Sequence, residues 1–147
     1  DLVARLAERM ARAYSMALLV IESNSLESSV SESSQYILEQ LNERYPNMYV
    51  RHSRDAARGS APETRVGFHT NRGSKSAAIA NLIRLVREAL YEENSHDALN
   101  EMLLYQIDSS GAYAAKRGHH DDLLMTRAIG FYVIDSLPPL DLHPGYR

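Results

Sequence analysis

Residues 16–21, Met-Ala-Leu-Leu-Val-Ile, form an uninterrupted apolar run that ends at Glu22. A run of this length is too short for a separate helix and is typical of a strand buried on both faces. Helical and strand-like patterns alternate around it, which indicates an α/β layered domain. The predicted helices are residues 2–14, 28–44, 74–90 and 121–136, with one or two helical turns at 95–101. The predicted strands are 16–21, 48–52, 65–68 and 102–107, with a possible hairpin between 48–52 and 65–68 and a loop over 108–118.

The composition is that of an ordinary globular domain. With 147 residues, 44% of them hydrophobic and 24% charged, the chain is expected to form a single domain with its own core. No apolar run approaches the length of a membrane span. The chain has no cysteine, so a metal site would have to use oxygen or imidazole ligands. It begins at Asp1 without an initiator methionine, and we expect it to be a piece of a longer protein.

The charges are unevenly distributed although the formal net charge is only -3. Residues 51–75 are strongly basic and the rest of the chain is acidic. One interpretation is a solvated loop, and the other is a surface that contacts DNA phosphates without reading sequence. The cations of this segment are Arg51, Arg54, Arg58, Arg65, Arg72 and Lys75, against Asp55 and Glu63.

Residues 67–76, Gly-Phe-His-Thr-Asn-Arg-Gly-Ser-Lys-Ser, lie between a predicted strand and a predicted helix, the setting of a phosphate-binding P-loop. The spacing departs from that motif, because the glycines are one residue too far apart and Ser74 separates Gly73 from Lys75. The segment therefore predicts a helix start, with Ser74 as the capping residue.

Residues 118–125, Gly-His-His-Asp-Asp-Leu-Leu-Met, place Asp121 and Asp122 at the start of a predicted helix. Aspartates there often cap the helix, and the two histidines are more often loop residues than ligands. Glu22, at the end of a predicted strand, could simply meet solvent or cap the following turn. Open α/β sheets, however, bind ligands beyond the carboxyl ends of their strands, so Glu22, Asp121 and Asp122 could share a site. Carboxylates suit Mg²⁺ or Mn²⁺ and hence phosphodiester hydrolysis. Glycoside hydrolysis by paired carboxylates remains formally possible, whereas no serine-hydrolase elbow is present.

Three segments together resemble the nuclease domain of large terminase subunits, the DNA-packaging motors of tailed phages. They are residues 14–24, residues 67–71 with Lys75 and the helix behind it, and residues 118–125. The resemblance implies an RNase H-like fold, with a layered sheet and flanking helices. It implies a metal-dependent endonuclease that cuts concatemeric double-stranded DNA in the cytoplasm of an infected or lysogenic bacterial host. It also implies a portal protein and a small terminase subunit as partners, with no membrane.

The same resemblance assigns Glu22 as the second catalytic acid of the family, and Asp121 or Asp122 as the third, in a two-metal site for Mg²⁺ or Mn²⁺. The DNA-binding residues would be Arg51, Arg54, Arg58, Arg72 and Lys75. The family's first aspartate lies on an opening strand upstream of a helix like residues 2–14, and no counterpart precedes Asp1; the family's ATPase motor is also absent. We therefore expect residues 1–147 to be an N-terminally truncated nuclease domain with weak metal binding and little or no cutting. The alternative is a non-catalytic DNA-binding or assembly module of a packaging complex.

Overall fold

The computed structural model describes residues 2–24, 32–53 and 63–138, and within them the chain is a mixed α/β protein. Its contacts divide into two compact units, Asp1–Thr70 and Asn71–Arg147. This division does not test the single-domain prediction. The helices are α1 (Leu2–Ala13), α2 (Glu32–Arg44), α3 (Arg72–Arg87), α4 (His96–Leu103) and α5 (Asp122–Ser136). The strands are β1 (Val50–Ser53), β2 (Glu63–Val66), β3 (Tyr105–Ile107) and β4 (Tyr113–Ala115).

In the first unit, α1 packs on α2 and presents alanines to the core. Small side chains allow a close approach of helices, and larger residues from α2 and from the chain after it complete the cluster. Strands β1 and β2 pair antiparallel with Val50 opposite Val66, so the predicted hairpin pairing is confirmed. The buried cluster consists of Ala4, Ala11, Leu41, Tyr45 and Met48, with Leu19, Ile21 and Val66 packed against it.

The predicted strand over residues 16–21 is wrong in its extent. Among the described residues, the segment and the following Glu22 form two isolated parallel bridges and no ladder, Leu19 with Met48 and Glu22 with Phe68. Ser15 and Met16 have φ values of 57° and 60°, so a left-handed turn occupies the beginning of the predicted strand. Residues 17–21 are half-buried and not enclosed on both faces.

Gly67 is required where this segment meets the end of β2. Its φ of +88° lies in the left-handed region, and a Cβ atom there would stand 2.8 Å from the carbonyl oxygen of Ile21. The close approach lets the Phe68 amide donate to that same carbonyl oxygen at 2.7 Å. Glycine at this position therefore permits the backbone pairing beside Glu22.

In the second unit, α3 and α4 both pack on α5. The apolar stripe predicted for the α3 region is confirmed in part, because most of its members are buried while Val86 is half-exposed. The buried residues of α3 are Ala78, Ile79, Leu82 and Leu85, and those of α5 are Leu124, Met125, Ala128, Ile129 and Val133.

The start of α3 differs from its prediction. Asn71 is the N-cap, and its Oδ1 accepts from the amides of Gly73 and Ser74 at 2.9 and 3.0 Å. Ser74 Oγ accepts in return from the Asn71 amide at 2.8 Å, which completes a capping box. The predicted cap at Ser74 is therefore wrong, and the helix runs from Arg72 to Arg87, not over residues 74–90.

The predictions for residues 102–118 also need correction. Residues 102 and 103 end α4, so the strand predicted there begins only at Tyr105. The predicted loop contains β4, whose Tyr113 lies opposite Ile107 in an antiparallel pair. Asp108 sets the intervening turn, since its carboxylate accepts from the amides of Ser110 and Ala112 at 2.8 and 3.0 Å.

The mixed α/β class is thus confirmed, in the form of helices with two small antiparallel sheets. Among the described residues, no helix is both long and apolar enough to cross a membrane.

Candidate functional site

Glu22 lies in the first unit with an exposed side chain. Its backbone is held on both sides: the Phe68 amide donates to Ile21, and the Ser23 amide donates to the Phe68 carbonyl at 2.8 Å. Ser23 itself is fully buried. The carboxylate of Glu22 therefore projects from a fixed stretch of backbone.

Asn24 fixes the same segment from the other end. Its Oδ1 accepts from the Thr70 amide at 2.6 Å, and its Nδ2 donates to the Thr70 carbonyl. A side-chain amide that pairs both backbone groups of one residue replaces a missing strand partner. The signal in the sequence was the polar pair Ser23-Asn24, which follows the apolar run and Glu22, but nothing local identified Thr70 as the partner.

Arg51, predicted to bind DNA, makes contacts inside the first unit. Its Nη1 donates to the buried hydroxyl of Ser23 at 3.0 Å and to the carbonyl of Gly67 at 2.8 Å. These bonds connect β1 to the segment that carries Glu22, so Arg51 supports this segment structurally.

The other predicted DNA-binding residues are placed differently. Arg54 and Arg58 lie outside the described residues. Arg72 is the exposed first residue of α3, and Lys75 lies one turn further along the same helix. Phosphate contacts by all of these residues stay a prediction.

Asp121 occupies the N-cap position of α5 but makes no side-chain capping bond. Its Oδ2 instead lies 3.1 Å from Lys75 Nζ, and each side chain is 29% exposed. The Lys75 ammonium also stands 5.7 Å from the ring centroid of Tyr105, within reach of a cation–π interaction. Burial disfavours the ammonium, but hydrogen bonds to Asp121 and Tyr105 outweigh it and raise the pKa of Lys75. Lys75 therefore neutralises Asp121 and stays charged.

Glu101 performs the capping that the sequence suggested for the aspartates. Its Oε2 accepts from the Leu124 amide of α5 at 2.9 Å, although Glu101 belongs to α4. A carboxylate at the positive end of a helix is favourable whichever segment supplies it. Because Glu101 takes this role, the carboxylate of Asp121 is available to another cation.

Asp122 and the preceding histidines face solvent. The side chains of Asp122 and His120 are 87% and 84% exposed, with His120 Nδ1 3.9 Å from Asp122 Oδ2. Over residues 2–24, 32–53 and 63–138, no three or more acidic or histidine side chains are grouped so that they could hold a metal. Glu22 belongs to one unit and the two aspartates to the other, so their joint site stays a prediction.

A partly buried network contacts the helix that carries Asp121. Glu93, 8% exposed in its side chain, accepts from Arg127 Nε of α5 at 2.9 Å, from the Ser95 amide at 2.8 Å and from the Tyr91 hydroxyl. The hydrogen bond from Arg127, followed by those from Tyr91 and Ser95, lowers the pKa of Glu93 to about 2. No sequence motif pointed to this network.

No family model matches this chain, and neither does any curated protein sequence.

Proposed function

We propose that this chain is the nuclease domain of a phage large terminase subunit, which cuts double-stranded DNA with Mg²⁺ or Mn²⁺. Glu22, Asp121 and Asp122 would hold the metal, and the basic segment would contact the phosphates. The proposal rests on the resemblance of three sequence segments to that family, residues 14–24, 67–75 and 118–125, together with the hydrogen bonding of the Asp121 carboxylate.

The carboxylate of Asp121 is the observation that carries the proposal. An aspartate at a helix start ordinarily has its oxygens occupied by helix amides, and such a residue would be a poor metal ligand. Here Glu101 accepts from the helix, and Asp121 is paired with a cation instead. An oxygen that pairs with a side-chain ammonium and not with helix amides would become a metal ligand when a divalent cation displaces that ammonium.

The donor chemistry also fits the proposed metals. The three residues offer carboxylate oxygens alone, the ligands that hard cations such as Mg²⁺ and Mn²⁺ prefer. When bound, such an ion supplies a Lewis acid for phosphodiester hydrolysis. Asp121 would contribute a carboxylate that makes no bond to the helix amides, with the metal displacing Lys75, and the exposed Asp122 and Glu22 would complete the ligand set.

The proposal can be tested by titrating the 147-residue chain with Mn²⁺. The electron paramagnetic resonance signal of the free ion measures how much Mn²⁺ is bound at each step. Asp121→Ala, Asp122→Ala and Glu22→Ala should each weaken binding, because each removes one anionic ligand. Glu92→Ala is the matched control, since Glu92 is an exposed acid of the same chain outside the proposed site. If all four variants bound Mn²⁺ as tightly as the parent chain, the proposed metal site would be ruled out. Any cleavage of plasmid DNA by the parent should disappear with Asp121→Ala.

The ion pair between Lys75 and Asp121 favours a second candidate, a non-catalytic module that docks on DNA or on a packaging partner. In that case the carboxylate already has its permanent cation, and none of the three acid substitutions alters Mn²⁺ binding.

The basic segment has its own test, which must leave the structural residue Arg51 in place. Replacing Arg54 and Arg58 together by glutamine should remove about two phosphate contacts. The slope of log K for DNA binding against log[salt] should then become shallower by about two. Replacing Arg5 and Arg9, two exposed cations of α1, removes the same charge elsewhere and serves as the control. If both double variants change the salt slope equally, the basic segment has no special role.

A further inference from the structure

A cavity of about 330 Å³ opens in the second unit between α3, the β3–β4 pair and α5. Buried aliphatic side chains of Ile79, Leu82 and Leu124 line its inner part. Its volume falls at the lower end of the range of roughly 300–1,000 Å³ that is typical of small-molecule sites. Neither the proposed metal site nor the basic segment uses these residues.

Two tyrosines form a flat wall of the cavity. The rings of Tyr105 and Tyr113 are parallel to within 1°, with centroids 6.3 Å apart. They come from paired strands, and the register of Tyr105 with Ala115 and of Ile107 with Tyr113 makes them diagonal neighbours on one face. A flat aromatic wall opposite aliphatic side chains accommodates an aromatic ring or an alkyl chain.

The mouth of the cavity has exposed apolar side chains. Val86 of α3 is 51% exposed and Ile107 of β3 is 62% exposed, although both line the cavity. These side chains leave apolar surface in water at the rim of the cavity. A ligand that covered this surface would remove it from water, and the burial would favour binding.

A cation stands beside this mouth. Arg84 and Arg87 line an adjoining hollow that shares Ile83 and Tyr113 with the cavity. Arg84 is already paired, with Glu88 at 2.8 Å and with Asp135 at 2.7 Å. Arg87 is exposed and makes no ion pair with any residue in the described part of the chain. Arg84 is thus shared by two carboxylates, whereas the Arg87 guanidinium has no carboxylate partner among the described residues.

We propose that this cavity binds an apolar anion, a small molecule with an aromatic or alkyl body and one carboxylate or sulfonate group. The body lies between the tyrosine wall and the aliphatic side chains, and the anionic group lies beside Arg87. The lining accounts for the apolar body, and the exposed Arg87 guanidinium, which has no ion-pair partner among the described residues, favours an anionic group.

Two fluorescent probes separate these contributions in the full chain. 8-Anilinonaphthalene-1-sulfonate carries an aromatic body with one negative charge, and N-phenyl-1-naphthylamine has the same body without the sulfonate. We expect both probes to bind at one saturable site. Arg87→Gln should weaken the sulfonate about two- to five-fold, the strength of an exposed ion pair, and leave the neutral probe unchanged. Arg117→Gln removes an exposed charge of the same unit and should affect neither probe.

Filling the mouth tests the location. Val86→Trp places an indole where the cavity opens and should abolish binding of both probes, and because Val86 is half-exposed the fold should tolerate it. Ile134→Trp is the matched control, since Ile134 is 61% exposed against 51% for Val86 and lines a separate hollow on α5. Probe binding that survives Val86→Trp overturns the proposal, as does a loss that is the same with Ile134→Trp. An equal response of the two probes to Arg87→Gln overturns the assignment of the anion.

Discussion

The carboxylate of Glu93 provides the sharpest test of how the second unit is stabilised. It accepts three hydrogen bonds, including one from Arg127 at 2.9 Å, with only 8% of its side chain exposed. Glu93→Gln keeps the shape and removes the charge. Hydrogen bonds to charged groups contribute about 1.5–3 kcal/mol, and Arg127 is 26% exposed, so water compensates part of the loss. We expect the free energy of unfolding to fall by about 2 kcal/mol and the melting temperature by about 4–8 °C.

The pH dependence of this loss identifies its cause. The pKa of Glu93 is lowered from 4.5 to about 2, so its contribution is complete above about pH 4.5 and disappears as the pH falls through 2. Urea denaturation of Glu93→Gln and of the parent should therefore differ fully at pH 6 and hardly at all near pH 2. The control is Glu92→Gln, because this exposed neighbour should change stability by less than about 0.5 kcal/mol. A loss that persists undiminished at pH 2, or that Glu92→Gln reproduces, would refute the reasoning.

Three further predictions concern a glycine, a helix cap and the proposed metal site. Gly67→Ala should lower the free energy of unfolding, measured by urea denaturation, more than Gly111→Ala does. Both glycines have positive φ, but of the two only Gly67 has a backbone atom within 3 Å of the added Cβ. Equal losses of stability would show that this contact is unimportant. Glu101→Ala should cost about 1 kcal/mol in the same assay by removing the cap of α5, and an unchanged stability would show the bond to be unimportant. Lys75→Met should tighten Mn²⁺ binding up to about five-fold by removing the cation that competes for Asp121; unchanged or weaker binding contradicts this.

The helices could be predicted because their signals are local. The apolar periodicity of residues 74–90 places α3, and the aspartates at 121–122 with the prolines at 138–139 place α5, each to within three residues of its observed ends. Even here the cap was misplaced, since Asn71 and Ser74 are both good capping residues and share the capping box. A choice between them depends on backbone geometry that composition does not contain.

The strands were predicted less well because their signals depend on partners. Residues 113–115, Tyr-Ala-Ala, are too short to show an alternating pattern, and β4 exists because Tyr113 lies opposite Ile107. Residues 16–21 have the composition of a buried strand, yet a left-handed turn occupies Ser15 and Met16, and within the described part of the chain the segment forms isolated bridges and no ladder. Tertiary pairing decides both outcomes, and the sequence gives no direct measure of it.

Asp121 shows the same limit at the proposed site. The sequence offered two roles for it, a helix cap or a metal ligand, because both need a carboxylate at the beginning of a helix. Two distant residues decide between these roles. Glu101 caps α5 although it belongs to α4, and Lys75, which pairs with Asp121, lies 46 positions away in the sequence. A carboxylate that is 29% exposed needs a positive partner to offset its lost hydration, and Lys75 supplies it. Metal binding at Asp121 would therefore exchange one cation for another, so Lys75 should control the affinity of the proposed site as directly as the acids do.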